Sequence, residues 1–500
     1  MKPYKSVVIL GGGTAGWMAA NYLIKKWKDK GISVTLVESP DIGIVGVGEG
    51  STPSMQNFFH DMDIPESKWM PECHATYKAG ITFAGWSTKP GFEKYCHPFP
   101  CEVDAFSSSR FAHSCRLRRF GHDVDVHPDK FFLQSYLSNH QLSPIANHSF
   151  PFLNFYGYHF DSGLLGEFLC KVAVERGVKH LQRKVEQAHL DEQGNIRSLS
   201  FAEGDSISGD LYIDCSGFSS VLLQKTLGVD FVPFSENLFN DSAVVMPTPR
   251  GDSLNSQTIS TAMKHGWAWD IPLTSRTGNG YVYSSSFCSA DDAETELRQK
   301  LDLLDSDVEV RHLKMKVGRT AHHWFKNCLG VGLSQGFIEP LEATALHLVQ
   351  VTIQEFMLNC EEGNFTDQNR DKFNQLMNRR FEGVRDYIVA HYRLNSRTDT
   401  EYWRANASNQ KLSESLIRIL NSWTGGLKHD LDEEIEQQGI GHFFPIDSWR
   451  ILLAGYGFLP PIKSDLAPLG KFQKVDIDHQ IDFIQRCALN YRSQMEAVEH

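Results

Sequence analysis

The sequence predicts an α/β fold, with a parallel sheet within residues 1–345 and a mostly helical region over 346–500. Three observations support this prediction. A short apolar strand near the N-terminus runs into a glycine-rich turn and then into a helix. Further short strands follow in the middle of the chain, and after about residue 342 the apolar residues recur at helical spacing.

Composition is that of an ordinary globular protein. With 41% hydrophobic and 22% charged residues the chain can bury a large core, and no apolar run approaches the ~20 residues of a membrane helix. The net charge of −12 disfavours nucleic acid as a partner, because phosphate backbones bind concentrated basic surfaces. The ten cysteines are too sparse for a disulfide framework, and the N-terminus lacks a signal-peptide cleavage site. We therefore expect reduced thiols, no membrane partner and a cytoplasmic location.

The first forty residues indicate a βαβ unit. Residues 6–10 form a short apolar strand, residues 17–30 have the spacing of a helix, and Gly31 stands where a helix C-cap belongs. Residues 34–37 form a second strand, which ends at Glu38. An acid at this distance from a glycine-rich turn is typical of the group that binds the ribose hydroxyls of a dinucleotide.

The turn of this unit has the pattern G-x-G-x-x-G, with Gly11, Gly13 and Gly16 at the fixed positions and Thr14 and Ala15 between the last two. The first glycine permits the tight turn, the second lets backbone amides approach a pyrophosphate, and the third allows the helix to pack closely on the strand. The helix N-terminus adds the positive end of its dipole. In this context the pattern predicts a dinucleotide site, which belongs to either FAD or NAD.

The middle of the chain returns to the same sheet. Strands are predicted at 185–190 and 196–201, and the strand over 211–217 contains Asp214 and closes on Gly217. This order resembles the glutathione-reductase-like, Rossmann-type FAD-binding fold of flavin monooxygenases, in which other segments interrupt the nucleotide domain. Because no second G-x-G-x-x-G exists for a nicotinamide cofactor, FAD is favoured over NAD. The nucleotide sheet is predicted from about 1–50, 164–217 and 325–345, with substrate-side insertions between.

Residues 60–150 show no clear periodicity and are predicted to be irregular. Their scattered cysteines and histidines match no zinc-ligand spacing, so no metal site is predicted. We interpret the basic cluster of Arg116, Arg118 and Arg119 as a solvated face, with binding to flavin phosphate or to a partner protein as the alternative.

Residues 266–272, with the sequence GWAWDIP, form the most specific motif of the chain. Alternation along a strand places Trp267 and Trp269 on one face. A lone W-x-W is explained by two core aromatic residues. With the flanking glycine, the Ile-Pro pair and a nucleotide domain upstream, the motif resembles the signature of flavin-dependent halogenases, the family that includes the bacterial tryptophan halogenases.

Other stretches resemble the same family over most of the first 345 residues. Residues 46–53 are similar to its flavin-contacting G-V-G-E-x-(T/S) loop, which here contains Glu49. Lys78 stands where the family has its active-site lysine, and Val185 resembles a contact on the adenine side of the flavin.

Residues 332–344 resemble the family loop that carries the catalytic glutamate, a flavin contact and the halide site. The resemblance implies that Glu342 is the carboxylate near Lys78 and that Leu333 and Ala343 contact the flavin.

The resemblance also implies a halide site, at the backbone amides of Thr344 and Ala345. Two departures from the family pattern fall in this loop: Ala343 stands where serine is usual and Ala345 where glycine is usual. The serine contact to flavin is largely through the backbone, so Ala343 can replace it. The extra methyl group of Ala345 lies beside the halide amides.

The implied activity is a halogenation that uses FADH2, O2 and halide to make hypohalous acid, which then attacks an electron-rich, indole-type aromatic substrate. Lys78 would hydrogen-bond the hypohalous acid or form a haloamine, and Glu342 would stabilise the charged ring and take its proton. Trp267 and Trp269 would separate the substrate from the flavin. A separate flavin reductase would supply FADH2, since the chain shows no nicotinamide site. A homodimer is left open.

The substrate itself is not fixed by the sequence. Tryptophan halogenases hold the amino acid with an aromatic pair and a glutamate late in the chain, and here Phe443 and Phe444 form a pair but Arg450 follows where the acid is expected. Free tryptophan is therefore disfavoured, and an indole, a phenol-like aromatic or a larger scaffold fits as well. Two alternatives differ in class: an FAD-dependent aromatic monooxygenase, which the two tryptophans argue against, and a non-catalytic flavoprotein, which the retained Lys78 and Glu342 argue against.

Overall fold

The computed structural model describes residues 3–41, 43, 48–202, 204–425, 430–470 and 473–499. The chain divides into two compact units. The first unit comprises Met1–Ala75, Phe160–Ser235 and Met315–Glu382, and the second comprises Thr76–His159, Glu236–Lys314 and Gly383–His500. Each unit combines segments from distant parts of the sequence. The boundary expected at residue 345, between the FAD-binding module and the helical region, therefore stays a prediction.

Strands and helices are mixed up to about residue 344, and helices predominate after it. The α-helices are α1 Thr14–Trp27, α2 Ser54–Asp61, α3 Glu66–Trp69, α4 Ala105–Arg119, α5 Leu133–Asn139, α6 Ser162–Arg176, α7 Ala290–Lys300, α8 Ala345–Glu362, α9 Arg370–Leu394, α10 Glu401–Ser408, α11 Glu414–Thr424, α12 Leu431–Gln438, α13 Ile446–Gly455, α14 Ile477–Ala488 and α15 Gln494–Val498. The strands are β1 Ser6–Leu10, β2 Ser33–Glu38, β3 Gly48–Gly50, β4 Thr76–Lys78, β5 Gly80–Ala84, β6 Lys94–Pro98, β7 Leu142–Ala146, β8 Gly157–Asp161, β9 Lys179–Gln182, β10 Val185–Leu190, β11 Ile196–Phe201, β12 Ser206–Ile207, β13 Leu211–Asp214, β14 Phe231–Pro233, β15 Ser242–Pro249, β16 Gln257–Ala262, β17 Gly266–Pro272, β18 Arg276–Tyr283, β19 Arg311–Lys314, β20 Gly318–Thr320, β21 Trp324–Phe325, β22 Cys328–Gly330, β23 Gly336–Phe337 and β24 Tyr491–Ser493.

The first unit is built on a six-stranded sheet in the order β21-β22-β13-β1-β2-β9. All neighbouring pairs are parallel except the β21–β22 hairpin. The sheet draws its strands from three separate stretches of the chain, as predicted for a nucleotide domain that other segments interrupt. The predicted Rossmann-type α/β fold is confirmed.

Strand register brings the carboxyl ends of neighbouring strands to one edge of this sheet. Leu10, at the end of β1, lies opposite both Val37 of β2 and Asp214 of β13. On the next strand, Gly330 pairs with Asp214. Ligands of open α/β sheets bind at this edge, so the register places the segments that follow these strands where a nucleotide would bind.

Helix α1 begins three residues earlier than the sequence pattern predicts. Its N-cap is Gly13, within the glycine-rich turn itself, so that the turn leads directly into the helix. The helix ends at Trp27, followed by a short 3₁₀ turn and by Gly31 at a φ of 71°, the left-handed conformation that favours glycine. The predicted C-cap is confirmed.

The second unit contains a seven-stranded sheet in the order β19-β15-β18-β17-β16-β5-β6. Its neighbours are antiparallel, except that β16 runs parallel to β5. The GWAWDIP motif is strand β17, in the middle of this sheet, as expected. Strand β4 precedes β5 by a single residue, so the chain passes from the Lys78 strand directly into this sheet.

Residues 60–150 are more regular than predicted, because they include α4, α5 and several strands. Helix α4 has a polar, arginine-rich sequence without a clear apolar stripe, which explains why the sequence pattern did not indicate it. Two of its arginines also make tertiary contacts, which a purely solvated face would not show. Arg118 donates to the Pro460 carbonyl, and Arg119 donates to the Trp423 carbonyl and lies over its ring.

The C-terminal helical prediction is confirmed by α8 and α9, which lie within two residues of the predicted 343–360 and 369–393. Within the described parts of the chain, no helix combines the length and the apolar character needed to cross a bilayer.

All ten cysteines lie in the described part of the chain, and each is a free thiol. Seven are buried: Cys73, Cys96, Cys101, Cys115, Cys288, Cys328 and Cys360. Burial raises the pKa of the Cys73, Cys96 and Cys101 thiols to about 12, because the charged thiolate is poorly solvated in the core. These thiols are therefore protonated at neutral pH.

Asp104 is a buried acid beside the apolar cluster formed by α5, α14 and their neighbours. Its Oδ1 accepts a hydrogen bond from the Leu133 amide at 2.7 Å, and Oδ2 has no partner among the described residues. Burial, with the negative charge of Asp447 as a smaller cause, raises the pKa of Asp104 to about 7. The folded state thus keeps a proton on this carboxyl that the unfolded chain releases near pH 4.

This raised pKa predicts a stability change with pH. Because the folded form binds the extra proton, the contribution of Asp104 to stability falls as pH rises from about 4 to about 7. Asp104→Asn should therefore gain in Tm relative to the wild type as pH is raised from about 5 to about 8, as measured by thermal unfolding. Asp252→Asn, at an exposed position, is the control and should track the wild type. A constant difference for Asp104→Asn would contradict the prediction.

Candidate active site

The N-terminus of α1 forms a cradle of backbone amides at the sheet edge. The first amides of a helix lack intrahelical partners, and no side chain of the described residues caps them here. A Cβ built on Gly13 meets nothing within 4 Å, whereas one on Gly16 would lie 2.0 Å from the Gly11 carbonyl oxygen. Thr14 is buried, and its hydroxyl lies 3.4 Å from the Ser162 carbonyl. Open space in front of free amides and close packing behind them fit a dinucleotide pyrophosphate.

Glu38, the last residue of β2, lies beside the glycine-rich turn. A Cβ on Gly12 would fall 1.5 Å from the Glu38 Oε2 atom, so only glycine leaves the carboxylate in place. The other carboxylate oxygen, Oε1, lies 2.5 Å from His180 Nε2. The ring of His180 packs edge-on against Trp17, with centroids 5.0 Å apart. The acid is therefore held beside the turn from two sides.

Asp214 is fully buried at the end of β13 and accepts five hydrogen bonds. Oδ1 accepts from the Ser216 amide and hydroxyl and from the Ser334 hydroxyl, at 2.5–3.1 Å. Oδ2 accepts from the amides of Leu222 and Leu223, both at 2.8 Å. With its lone pairs occupied in this way, Asp214 shapes the loops around it. The strand predicted over 211–217 ends at Asp214 because these bonds turn the chain.

Two glycine-led turns complete this edge of the sheet. The turn after β13 begins at Gly217 (φ of 67°), and a Cβ there would meet nothing within 4 Å. The turn after β22 begins at Gly332 (φ of 66°), where a Cβ would come within 2.9 Å of the Ala15 Cβ. Leu333, next in the chain, is 39% exposed despite its apolar side chain. An exposed leucine beside a nucleotide cradle fits a contact surface for a flat aromatic cofactor.

Glu49 and Val185 also belong to the first unit. Burial, followed by the charge of Asp161, raises the pKa of Glu49 to about 7. Glu49 lies on β3, which neighbours β8 in a sheet, and β8 ends one residue before Ser162, whose carbonyl lies near the Thr14 hydroxyl. Val185 begins β10, two residues after the Arg183 amide that donates to the Glu38 carbonyl. Gly46 and Val47, the first two residues of the predicted flavin loop, lie outside the described residues.

Helix α8 begins at a second amide-rich N-terminus. Glu342, 4% exposed, ends a short 3₁₀ turn, and Ala343 then adopts a φ of 55°, which is uncommon for a residue with a Cβ. Thr344 is the N-cap and Ala345 the first residue of this 18-residue helix. The Thr344 hydroxyl is buried and has no hydrogen-bond partner among the described residues. First-turn amides beside an unsatisfied hydroxyl fit a small anion.

Lys78 lies in the second unit at the end of β4 and is 1% exposed. It pairs with Gly157 of β8, which has no side chain to occupy the same face of the ladder. Its ammonium lies 5.5 Å from the centroid of the Phe99 ring, within the range of a cation–π contact. A buried lysine is rare and costly unless its charge is used or compensated.

Trp267 and Trp269 lie on one face of β17, as the alternation predicts, with ring centroids 6.0 Å apart. They are 2% and 8% exposed. Gly280, opposite Trp269 on β18, makes room for that indole, because a Cβ there would fall 2.1 Å from its Cζ2 atom. The Nε1 donor of Trp269 is buried and has no partner among the described residues.

The structure thus groups the predicted nucleotide residues at one edge of the first unit. Several residues that contact predicted groups were missed in the sequence: His180 beside Glu38 and Ser334 bonded to Asp214 in the first unit, and His159 opposite Thr76 of the Lys78 strand in the second. Each is far in sequence from the group that it contacts. No local spacing rule could have identified them.

Comparison with known proteins gives a consistent result. The family model described as tryptophan halogenase matches residues 6–469. The tryptophan 6-halogenase SttH of Streptomyces toxytricini is 36% identical over 477 residues, which cover 90% of this chain and 89% of that protein. The 7-chloro-L-tryptophan 6-halogenase KtzR of Kutzneria sp. (strain 744) is 37% identical over 83% of this chain and 84% of that protein.

Solved structures agree with this match. The crystal structure of SttH superposes with a TM-score of 0.86 at 35% identity, covering 98% of this chain and 99% of that one. BrvH, a flavin-dependent halogenase from Brevundimonas sp. BAL3, has a TM-score of 0.84 at 28% identity, with 99% of both chains covered. These matches confirm the predicted resemblance and enzyme class. The chain belongs to the tryptophan halogenase family and is an FADH2-dependent halogenating oxidoreductase that uses a halide ion.

Proposed function

We propose that this enzyme halogenates the indole ring of a substrate other than free tryptophan, with Lys78 directing the halogen. The observation that carries the proposal is the placement of a buried lysine at the end of β4, one residue before the sheet that carries the Trp267–Trp269 pair. A lysine removed from water in this way is suited to hold a reactive electrophile close to an aromatic wall.

The first unit is proposed to hold FAD. The amides after Gly13 would bind the pyrophosphate and Glu38 the adenosine ribose, with Val185 on the adenine side. Leu333, Ala343 and Gly217 would line the isoalloxazine, near Glu49. Asp214 is proposed to act through the two turns that its carboxylate holds, because all five of its hydrogen bonds go to the protein.

Halide is proposed to bind the Thr344 and Ala345 amides at the N-terminus of α8. The support is the length of this helix, the absence of a side-chain cap and the unsatisfied Thr344 hydroxyl within the described residues. When bound, reduced flavin would supply the two electrons that activate O2, so that one oxygen atom oxidises halide to hypohalous acid and the other leaves as water. The helix end would orient the anion and keep it from exchanging with bulk water.

Lys78 is proposed to capture the hypohalous acid through its Nζ atom, either as a hydrogen-bonded molecule or, once the ammonium has lost a proton, as a haloamine, in which an N–halogen bond replaces an N–H bond and water leaves. Trp267 and Trp269 would wall the aromatic substrate, so that the ring receives halogen from the lysine only. As the ring carbon is halogenated, positive charge develops on the ring. The Glu342 carboxylate would stabilise that charge and accept the proton from the substituted carbon.

The substrate proposal rests on the late helical region of the second unit. Arg450 stands where the family resemblance places an acid, and its guanidinium is bound by the carboxylates of Asp447 and Asp432. Phe444 stacks on Tyr387 with centroids 3.6 Å apart. A guanidinium cannot accept a hydrogen bond from an ammonium group, so Arg450 does not supply the acceptor that the family uses for the α-amino group, and the proposed substrate is an indole that lacks one.

A separate flavin reductase supplies FADH2 to enzymes of this family, and we propose the same for this chain. The ten free thiols support a reducing, cytoplasmic location. A homodimer stays a prediction.

The first test is the reaction itself. The enzyme, FAD, a flavin reductase with NADH, and air should convert indole into a product with a chlorine or bromine isotope doublet, seen by mass spectrometry, only when that halide is present. Tryptophan, run in parallel, should react more slowly. A product about 16 mass units heavier than indole, which corresponds to one added oxygen atom, would instead identify an aromatic hydroxylase if it formed without halide.

Lys78→Ala tests the directing role. We expect the product to fall by about 100-fold or more, because the halogen is no longer held. FAD affinity, measured by flavin fluorescence, should not change, since the proposed FAD residues belong to the other unit. Wild-type turnover in this variant would show that the lysine is not catalytic.

His180→Phe tests the hold on Glu38. Phenylalanine keeps a ring against Trp17 but removes the nitrogen that bonds the carboxylate, so the Kd for FAD should rise about tenfold, or about 1.4 kcal/mol. The matched control is His189→Phe. His189 lies on β10 of the same unit, and its ring bonds to the Ser200 hydroxyl on β11. An equal change in both variants, or none in His180→Phe, would contradict a specific role.

A further inference from the structure

The surroundings of His159 contain a continuous hydrogen-bond chain that crosses four strands of the second unit. His159 is fully buried on β8, directly opposite Thr76 of β4. Its Nδ1 lies 3.2 Å from the Thr76 hydroxyl and its Nε2 lies 2.9 Å from the Thr258 hydroxyl of β16. The Thr76 hydroxyl also lies 2.7 Å from the carbonyl oxygen of Pro272, the last residue of the GWAWDIP strand.

Counting donors fixes the direction of every bond in this chain. A carbonyl oxygen can only accept, so the single Thr76 proton goes to Pro272. Thr76 then accepts from His159, which places a proton on Nδ1. Burial and the nearby charge of Lys78 lower the pKa of His159 well below its usual value, which leaves the ring neutral and Nε2 an acceptor. Thr258 therefore donates to Nε2.

This chain of hydrogen bonds joins β4, which carries Lys78, to the sheet that carries Trp267 and Trp269. Thr76 and Lys78 are two residues apart on β4 and share a face of the ladder with His159. The pairing of β16 with β17 places Thr258 on the same sheet face as Trp269. Each end of the hydrogen-bond chain is thus anchored in the sheet that carries the Trp267–Trp269 pair.

We propose that His159 is a positioning residue, which locks the Lys78 strand against the tryptophan-bearing sheet through Thr76 and Thr258. This inference rests on the proposed function, since it assumes that Lys78 handles the halogen. Neutral imidazole suits this place because a charged ring would repel the lysine ammonium, while a purely apolar residue would remove the acceptor of the Thr258 hydroxyl and leave Thr76 bonded to Pro272 alone. If the lock is lost, Lys78 is misplaced and hypohalous acid escapes before it reaches the substrate.

Thr258→Val is the sharpest test, because it removes one hydroxyl without changing the shape of the side chain. We expect kcat for the halogenated product to fall by about fivefold or more with little change in KM, while a small-molecule trap for free hypohalous acid gives an increased signal. Thr258→Ser keeps the hydroxyl and should restore both values. Thr261→Val, on the opposite face of the same strand, should behave like the wild type.

The outcomes separate this inference from the proposed function. If the wild-type enzyme gives neither product nor trapped hypohalous acid, the proposed function fails. Wild-type product and trap signals in Thr258→Val would overturn the positioning role alone, as would loss of both signals in a folded variant with normal FAD affinity. Nitrogen NMR of histidine-labelled wild-type protein tests the inference without any variant. His159 should stay neutral with its proton on Nδ1 between about pH 6 and 8, and the other tautomer would overturn the assignment.

Discussion

The carboxylate of Asp214 is the interaction on which the architecture of the nucleotide edge depends. A buried acid is costly unless its lone pairs are satisfied, and here five donors from two separate turns converge on it. The acid thereby holds the turn after β13 and the turn that carries Leu333 in one arrangement. Because β13 is in register with β1, both turns are placed beside the glycine-rich start of α1. These hydrogen bonds hold the nucleotide edge of the sheet in place without any contribution from a cofactor.

The parts of this arrangement that the sequence could predict are those encoded locally. A strand, a glycine-rich turn and a helix in succession identify the βαβ unit, and the GWAWDIP motif identifies strand β17 together with its tryptophan face. The start of α1 was misjudged because Gly13 serves both the turn and the helix as its N-cap. Helix α4 was missed because tertiary contacts, such as those of Arg119 with Trp423, stabilise a segment whose apolar periodicity is weak.

The supporting residues could not be predicted from spacing, because they depend on strand pairing across long separations. His180 reaches Glu38 from a position 142 residues away, and Thr258 reaches His159 from 99 residues away. Gly280 belongs to no recognisable motif, yet a side chain at this position would collide with the ring of Trp269. The resemblance to halogenases supplies the proposed reacting groups, Lys78 and Glu342. The structure adds the residues that contact their strands and the pairing of Arg450 with Asp432 and Asp447, on which the positioning and substrate proposals rest.

The burial of the thiols has a consequence for an enzyme that produces hypohalous acid. Such oxidants attack thiolates far faster than protonated thiols, and oxidation beyond the first steps is irreversible. Cys73, Cys96 and Cys101 are shielded from solvent and remain protonated at neutral pH, because the core does not solvate their anions. The packing that stabilises the fold therefore also keeps these three thiols in the form that such an oxidant attacks more slowly.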